Sequence, residues 1–218
     1  MKFVTLIFFF CLGGEAGFTQ VENHQSRLLQ ADLLREETIY LFARGTTSKS
    51  NLVSHKFNYV DTNITHVGIG YIKNGQVLIY NVTDNGNSAA SALVIDSIAS
   101  FIKGEDVFYF SIWECDNKNA AYQPVLKGLQ AATTTKIKFD PFFSLYNDAL
   151  YCSEFCYKIL SAVPLLNGRF VPRELDLNNE LYENILDTKV LRYVPVDFFQ
   201  TGSLFTKVYE IHFKLPQP

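Results

Sequence analysis

Apolar and β-branched residues gather between Thr65 and Ile72 and again between Gln76 and Val82, parted by Lys73-Asn74-Gly75. Two such runs around an Asn-Gly pair predict a β-hairpin, because asparagine and glycine accept the positive φ angles of a tight turn. Further strands are predicted at Thr38–Ala43, Val107–Glu114, Val190–Val194 and Leu204–Phe213, where aromatic and β-branched residues concentrate. Elsewhere the apolar spacing is helical. It predicts a short amphipathic helix about Ser26–Leu34 and helices over Ala92–Lys103, Ala120–Thr134 and Ala149–Val163, the last stopped by Pro164. Gly45–Lys56 and Asp84–Ser91 are polar, turn-rich loops, and Pro172–Asp187 reads as a polar loop with a short helix. Helices mixed with antiparallel hairpins, with no internal repeat or low-complexity linker, predict one α+β domain.

The first residues follow a different pattern. Lys2 precedes an apolar stretch, Phe3 to Leu12, and the small-residue exit Gly13-Gly14-Glu15-Ala16-Gly17 comes next. That order predicts a cleaved signal peptide over 1–16 and a mature domain over 17–218, secreted or in the secretory-pathway lumen. The stretch falls well short of the roughly twenty apolar residues a bilayer needs, so no stable membrane span is expected. Phe8-Phe9-Phe10 before Cys11 does not supply the small residues of a lipoprotein site. Removal of the leader leaves Cys115, Cys152 and Cys156, an odd number, so at least one thiol is unpaired or intermolecular. In such a compartment Asn63-Ile64-Thr65 and Asn81-Val82-Thr83 are potential glycan acceptors.

Composition narrows the partners. The 218 residues are 48% hydrophobic and 19% charged, which is globular, and a net charge of −3 gives no basic footprint for nucleic acid. No phosphate-binding or dinucleotide glycine motif is present. Cys152 and Cys156 offer two ligands but no second Cys or His pair accompanies them, so neither a metal nor another cofactor is expected. A small-molecule, lipid or peptide substrate remains.

Candidate chemistry sits in two segments. Thr65-His66-Val67-Gly68-Ile69-Gly70-Tyr71 places a histidine at the head of a strand. Tyr151-Cys152-Ser153-Glu154-Phe155-Cys156 places a cysteine early in a helix, with Asn147 or Asp148 as its expected N-cap. A helix N-terminus and a nearby imidazole both favour a thiolate, so Cys152 is expected to react below the ~8.5 of a free cysteine. The plainer interpretation is that Cys152 and Cys156, one turn apart and flanked by Phe155, Ile159 and Leu160, form a buried helix face.

These two segments, in that order, resemble the YiiX/YaeF-like permuted papain-like hydrolases of the NlpC superfamily. Phe139-Asp140-Pro141-Phe142-Phe143, Asn147-Asp148-Ala149-Leu150 and Phe170-Val171-Pro172-Arg173-Glu174-Leu175 extend the likeness from about Thr38 to Asp187. The resemblance implies a circularly permuted papain-like (NlpC-type) fold, with an antiparallel sheet packed against the nucleophile helix. It implies Cys152 as nucleophile, His66 as base, and a polar residue on the strand after His66 that orients the imidazole. Tyr80 and Asn81 are the two candidates, and strand alternation lets only one of them face the site. Glu154 and Asp140 match family positions near the site and are candidate substrate-binding residues. The implied activity is a secreted cysteine hydrolase or acyltransferase acting on an amide, ester or thioester through an acyl-enzyme. The alternative is a non-catalytic secreted lipid- or peptide-binding protein on the same fold.

Overall fold

The structure, a computed structural model, describes residues 33–48, 56–87, 89–104, 106–116, 118–164 and 171–215. The leader over 1–16 lies outside them, as does the predicted helix about Ser26–Leu34 apart from its last two residues. Among the described residues the strands and α-helices follow in this order: β1 Tyr40–Thr46, β2 His66–Lys73, β3 Gln76–Val82, β4 Leu93–Asp96, α1 Ile98–Phe101, β5 Val107–Cys115, α2 Lys118–Thr133, α3 Cys152–Ser161, β6 Arg173–Asp176, α4 Glu180–Leu186, β7 Val190–Tyr193 and β8 Phe205–His212. Six strands form one sheet in the order β4-β3-β2-β1-β5-β8, and β6 pairs with β7 apart from it. Every strand pairing is antiparallel, which gives a mixed α and β architecture around an antiparallel sheet.

The predicted hairpin is present, with Lys73 paired to Gln76 across Asn74 (φ 52°) and Gly75 (φ 73°). Two successive positive φ values are what a type I′ turn requires, and its twist matches that of the arms. Ala92–Lys103 departs from expectation. Its first part is strand β4, because Leu93-Val94-Ile95-Asp96 pairs along β3 from Val82 to Ile79, and only the four residues of α1 are helical. β-Branched residues beside an open sheet edge gain ladder hydrogen bonds that outweigh a weak helical spacing. Helix α3 also begins later than expected. Its N-cap is Tyr151, without a side-chain cap, and Asn147 instead accepts from Ala149 N–H at 2.8 Å in a preceding turn. Cys152 is therefore the first residue of the helix.

The sheet is buried on both faces. On one, Leu41, Ala43, Val67, Ile69, Tyr80 and Tyr109 pack with Phe155, Cys156 and Leu160 of α3 and with Val125 and Leu129 of α2. On the other, Tyr40, Phe42, Val77, Ile79, Phe110 and Ile112 cover Ile98 and Phe101 of α1. The start of α3 is tied down from outside the sheet. Ser153 Oγ donates to Val194 O at 2.7 Å, and Tyr151 Oη accepts from Val194 N–H at 2.6 Å. Both bonds are buried, so the N-terminus of α3 is held at a set depth. Asp197, fully buried, accepts from the N–H groups of Tyr59, Val60 and Asp61 and so anchors the segment that leads into β2. No helix among the described residues is long and apolar enough to cross a membrane.

Candidate active site

His66 opens β2, and register places Arg44 of β1 directly across from it. Both residues line a cavity of about 510 Å³ that Cys152 and Tyr151 also line, at the end of the sheet where α3 begins. His66 and Cys152, 86 residues apart in sequence, thus reach one cavity because strand β2 and helix α3 end at the same place. His66 is 8% exposed and Cys152 5%. The imidazole lies 5.6 Å, centroid to centroid, from the ring of Phe101, and the Arg44 guanidinium sits 4.9 Å above that same ring. Arg44 also donates to the carbonyl of Phe101, while its Nε is buried without a partner.

Of the two orienting candidates, Asn81 meets the imidazole. Its Oδ1 lies 2.9 Å from His66 Nε2. The amide orientation follows from its other partners: Nδ2 donates to Asp96 Oδ2 at 2.9 Å and toward Val94 O at 3.4 Å. An amide oxygen only accepts, so Nε2 must carry the proton and Nδ1 keeps its lone pair. Tyr80 is corrected as a site candidate. Strand alternation turns it to the opposite face of β3, where it sits in the core with its hydroxyl 3.4 Å from that of Tyr71. Gly68 makes room for the contact. A Cβ there would lie 2.7 Å from Ile79 Cγ2 and 3.1 Å from Asn81 Cβ. We expect Gly68→Val to push Asn81 off His66 and to cost about 1–3 kcal/mol through overpacking; urea unfolding reads the cost, and an unchanged midpoint would show that the strands part freely.

Asn81 is 1% exposed and hydrogen-bonded at both ends of its amide, which leaves no room for a glycan on the second sequon in the folded chain. Asn63 is exposed.

Burial opposes the expected Cys152 thiolate. Burial, and then the charge of Arg44, push the His66 pKa down from 6.5 to about 3, against the raising effect of the Asn81 bond. Burial pushes the Cys152 thiol up, against the lowering effects of the Val67 and Ser153 backbone N–H groups and of Arg44. A neutral base therefore stands in one cavity with a neutral thiol at physiological pH. The helix terminus does favour the anion, but desolvation of a thiol at this depth outweighs it.

Neither Glu154 nor Asp140 is among the residues that line the cavity. Asp140, fully buried, accepts from Phe142 N–H at 2.9 Å and Ser144 N–H at 2.8 Å, so its carboxylate folds its own loop. That loop contributes Phe139, Pro141 and Phe143 to the cavity wall. Glu154, fully buried in the first turn of α3, lies 3.0 Å from Lys158 Nζ, one turn along the helix. Burial raises its pKa from 4.5 to about 7 despite that lysine. Cys115, Cys152 and Cys156 are buried, and no disulfide joins any two of them. His212 is exposed beside Glu210, and His24 and His55 lie outside the described residues. Sequence reading missed Arg44 and Asp96. Arg44 becomes visible only when β1 is set in register against His66, and Asp96 only when Ala92–Lys103 is read as a strand.

No family model matches the chain, and no curated protein matches it. Among solved structures it is similar to the metalloprotein YiiX from Escherichia coli O157:H7, with 15% identity, a TM-score of 0.57, and coverage of 81% of this chain and 98% of that one. The fold likeness falls on the family that the two motifs resemble. No group of three or more His, Cys, Asp or Glu side chains among the described residues is placed to hold a metal ion.

Proposed function

We propose that the chain is an exported cysteine hydrolase or acyltransferase of the permuted papain-like type, in which Cys152 attacks an acyl carbonyl and His66 takes its proton. The observation that carries this reading is the 2.9 Å contact of Asn81 with His66, which lines one cavity with Cys152. An amide oxygen that fixes the Nε2–H tautomer leaves Nδ1 as base, the division of labour of a Cys-His-Asn site. As the Cys152 Sγ–H proton passes to Nδ1, sulfur bonds to the carbonyl carbon and the C=O electron pair moves to oxygen. Collapse expels the alcohol, thiol or amine, which takes the proton back from His66. Water or a second acceptor then releases the acyl group by the same steps in reverse. The backbone N–H groups at the start of α3 face the developing negative charge, and Arg44 adds a full positive charge to the same cavity.

The cavity adjoins a second one of about 660 Å³ and shares Asp84, Phe139 and Pro141 with it. Hydroxyl and charged groups such as Thr65, Thr83, Asp84 and Lys103 stand among the lining residues, which favours a polar acyl donor, peptide or small molecule, over a bare hydrocarbon chain.

The competing reading, a binding protein without catalysis, draws on the burial of Cys152 and its raised pKa. Iodoacetamide separates the two. We expect Cys152 to alkylate first and Cys156, which is fully buried and whose pKa is raised further by burial, to stay protected. Peptide mapping identifies the modified residue, and first modification of Cys115 or Cys156 would remove the nucleophile assignment.

A further inference from the structure

The hydrogen bonds behind His66 continue past Asn81, and their direction is set at the far end. Asp96 closes β4 with one carboxylate oxygen accepting from Asn81 Nδ2 at 2.9 Å and the other from Ser100 Oγ at 2.7 Å. Ser100 belongs to α1, whose start is capped by Ser97, so the carboxylate is held between the sheet edge and a helix. An ionised carboxylate can only accept. It therefore forces Asn81 to present its NH₂ group to Asp96 and its oxygen to His66. Without it, the amide could turn by half a rotation at little cost. The remaining acceptor on that side, Val94 O, is 3.4 Å away and bonds weakly. A turned amide would offer its NH₂ to Nε2, which would then have to be bare, and the proton would sit on Nδ1. An imidazole in that state cannot accept a proton at Nδ1.

We propose that Asp96 is a positioning residue that selects the Nε2–H tautomer of His66 through Asn81. The proposal rests on His66 acting as the base, but the selection of the tautomer is a property of the resting protein and can be read without turnover. The sign of each link matters more than its presence. A donor at position 96 calls for an acceptor at position 81, so the two residues should tolerate exchange together better than singly.

The test is the ¹⁵N spectrum of the His66 ring nitrogens together with the rate of Cys152 alkylation, in the wild type, Asp96→Ala, Asp96→Asn and the double variant Asn81→Asp/Asp96→Asn. The wild type should show one protonated and one bare nitrogen, with Nε2 protonated. Asp96→Ala should move a large part of the population to the Nδ1–H form and lower the alkylation rate on the order of tenfold. Asp96→Asn offers Asn81 a donor as well as an acceptor, so the amide is no longer held one way round and the Nδ1–H form should again gain population. Adding Asn81→Asp sets against Nε2 a carboxylate, which only accepts, and gives it the amide of position 96 as donor, while the amide oxygen at position 96 still accepts from Ser100, so the double variant should regain the wild-type tautomer and most of the rate. A pure Nε2–H tautomer in Asp96→Ala would overturn the proposal. Should Asp96→Ala not fold, the comparison of Asp96→Asn with the double variant decides alone, and a pure Nε2–H tautomer in Asp96→Asn would overturn it equally. Failure of the catalytic reading looks different: the tautomer would still follow position 96, while Cys152 alkylation ignored it.

Discussion

Replacing either Cys152 or His66 by alanine is expected to remove nearly all acyl transfer, and replacing both to cost little more. A base has no proton to take without its nucleophile, so the two losses do not add. Hydrolysis of a chromogenic ester or thioester, followed in the two single variants and the double, measures this directly. For His66→Ala the expected loss in Cys152 reactivity near neutral pH is on the order of 10²–10⁴, the usual contribution of a positioned base. The pH dependence identifies how the base works. Burial and Arg44 lower the His66 pKa to about 3 and burial raises that of the Cys152 thiol, so in the proposed mechanism the imidazole serves as a base toward a thiol that starts protonated. At alkaline pH the thiolate forms without help, and the alkylation rates of wild type and His66→Ala should converge there while differing widely at neutral pH. Profiles that superimpose at every pH would mean that the imidazole does not serve the thiol.

The pH dependence of stability should show two buried groups pulling in opposite directions. His66 has a folded pKa of about 3 against an ordinary 6.5. Between those values the unfolded chain binds the extra proton, so stability falls as pH drops from 6.5 toward 3, by on the order of 5 kcal/mol over the full window. Glu154 has a folded pKa of about 7 against an ordinary 4.5. There the folded chain holds the extra proton, so its contribution is fully present below pH 4.5 and is lost as pH rises toward 7. Across 4.5 to 6.5 the two slopes oppose each other. We expect Glu154→Gln to remove one of them and make the protein lose stability steadily from pH 6.5 downward. His66→Leu should show the reverse slope between 4.5 and 7. Urea unfolding at a series of pH values gives the slopes. If wild type and Glu154→Gln run parallel through that range, the Glu154 carboxyl titrates at its ordinary value and its burial costs nothing.

Arg44 ties these effects together. It stands across from His66 in the register of β1 and β2, and its charge lowers the pKa of the imidazole and of the thiol alike. One cation thus disfavours the imidazolium and favours the thiolate. Phe101 supports the arrangement, since it meets the guanidinium face-on and its carbonyl accepts from it.

Much of the scaffold was legible in the chain alone because its causes are local. Asn74-Gly75 between two apolar runs specifies a hairpin, since neighbouring residues alone decide which φ values a turn can take. His66 at the strand head and Cys152 at the helix start could be singled out for the same reason, as could the restriction that Tyr80 and Asn81 face opposite ways. Tertiary structure decided the rest. Which of Tyr80 and Asn81 meets His66 depends on which face of β3 the core covers, and alternation by itself does not say. Arg44 and Asp96 reach the site through the register of β1 on β2 and of β4 on β3, pairings between segments far apart in sequence. The charge states of His66 and Cys152 depend on depth below the surface. The motifs pointed to a thiolate, whereas desolvation, which no short motif encodes, favours the neutral thiol and the neutral imidazole. Asp140 and Glu154 carry the same lesson. Their places beside the nucleophile could be read from the chain, but the backbone N–H groups that claim Asp140 and the burial that seals in Glu154 exist only once the chain has folded.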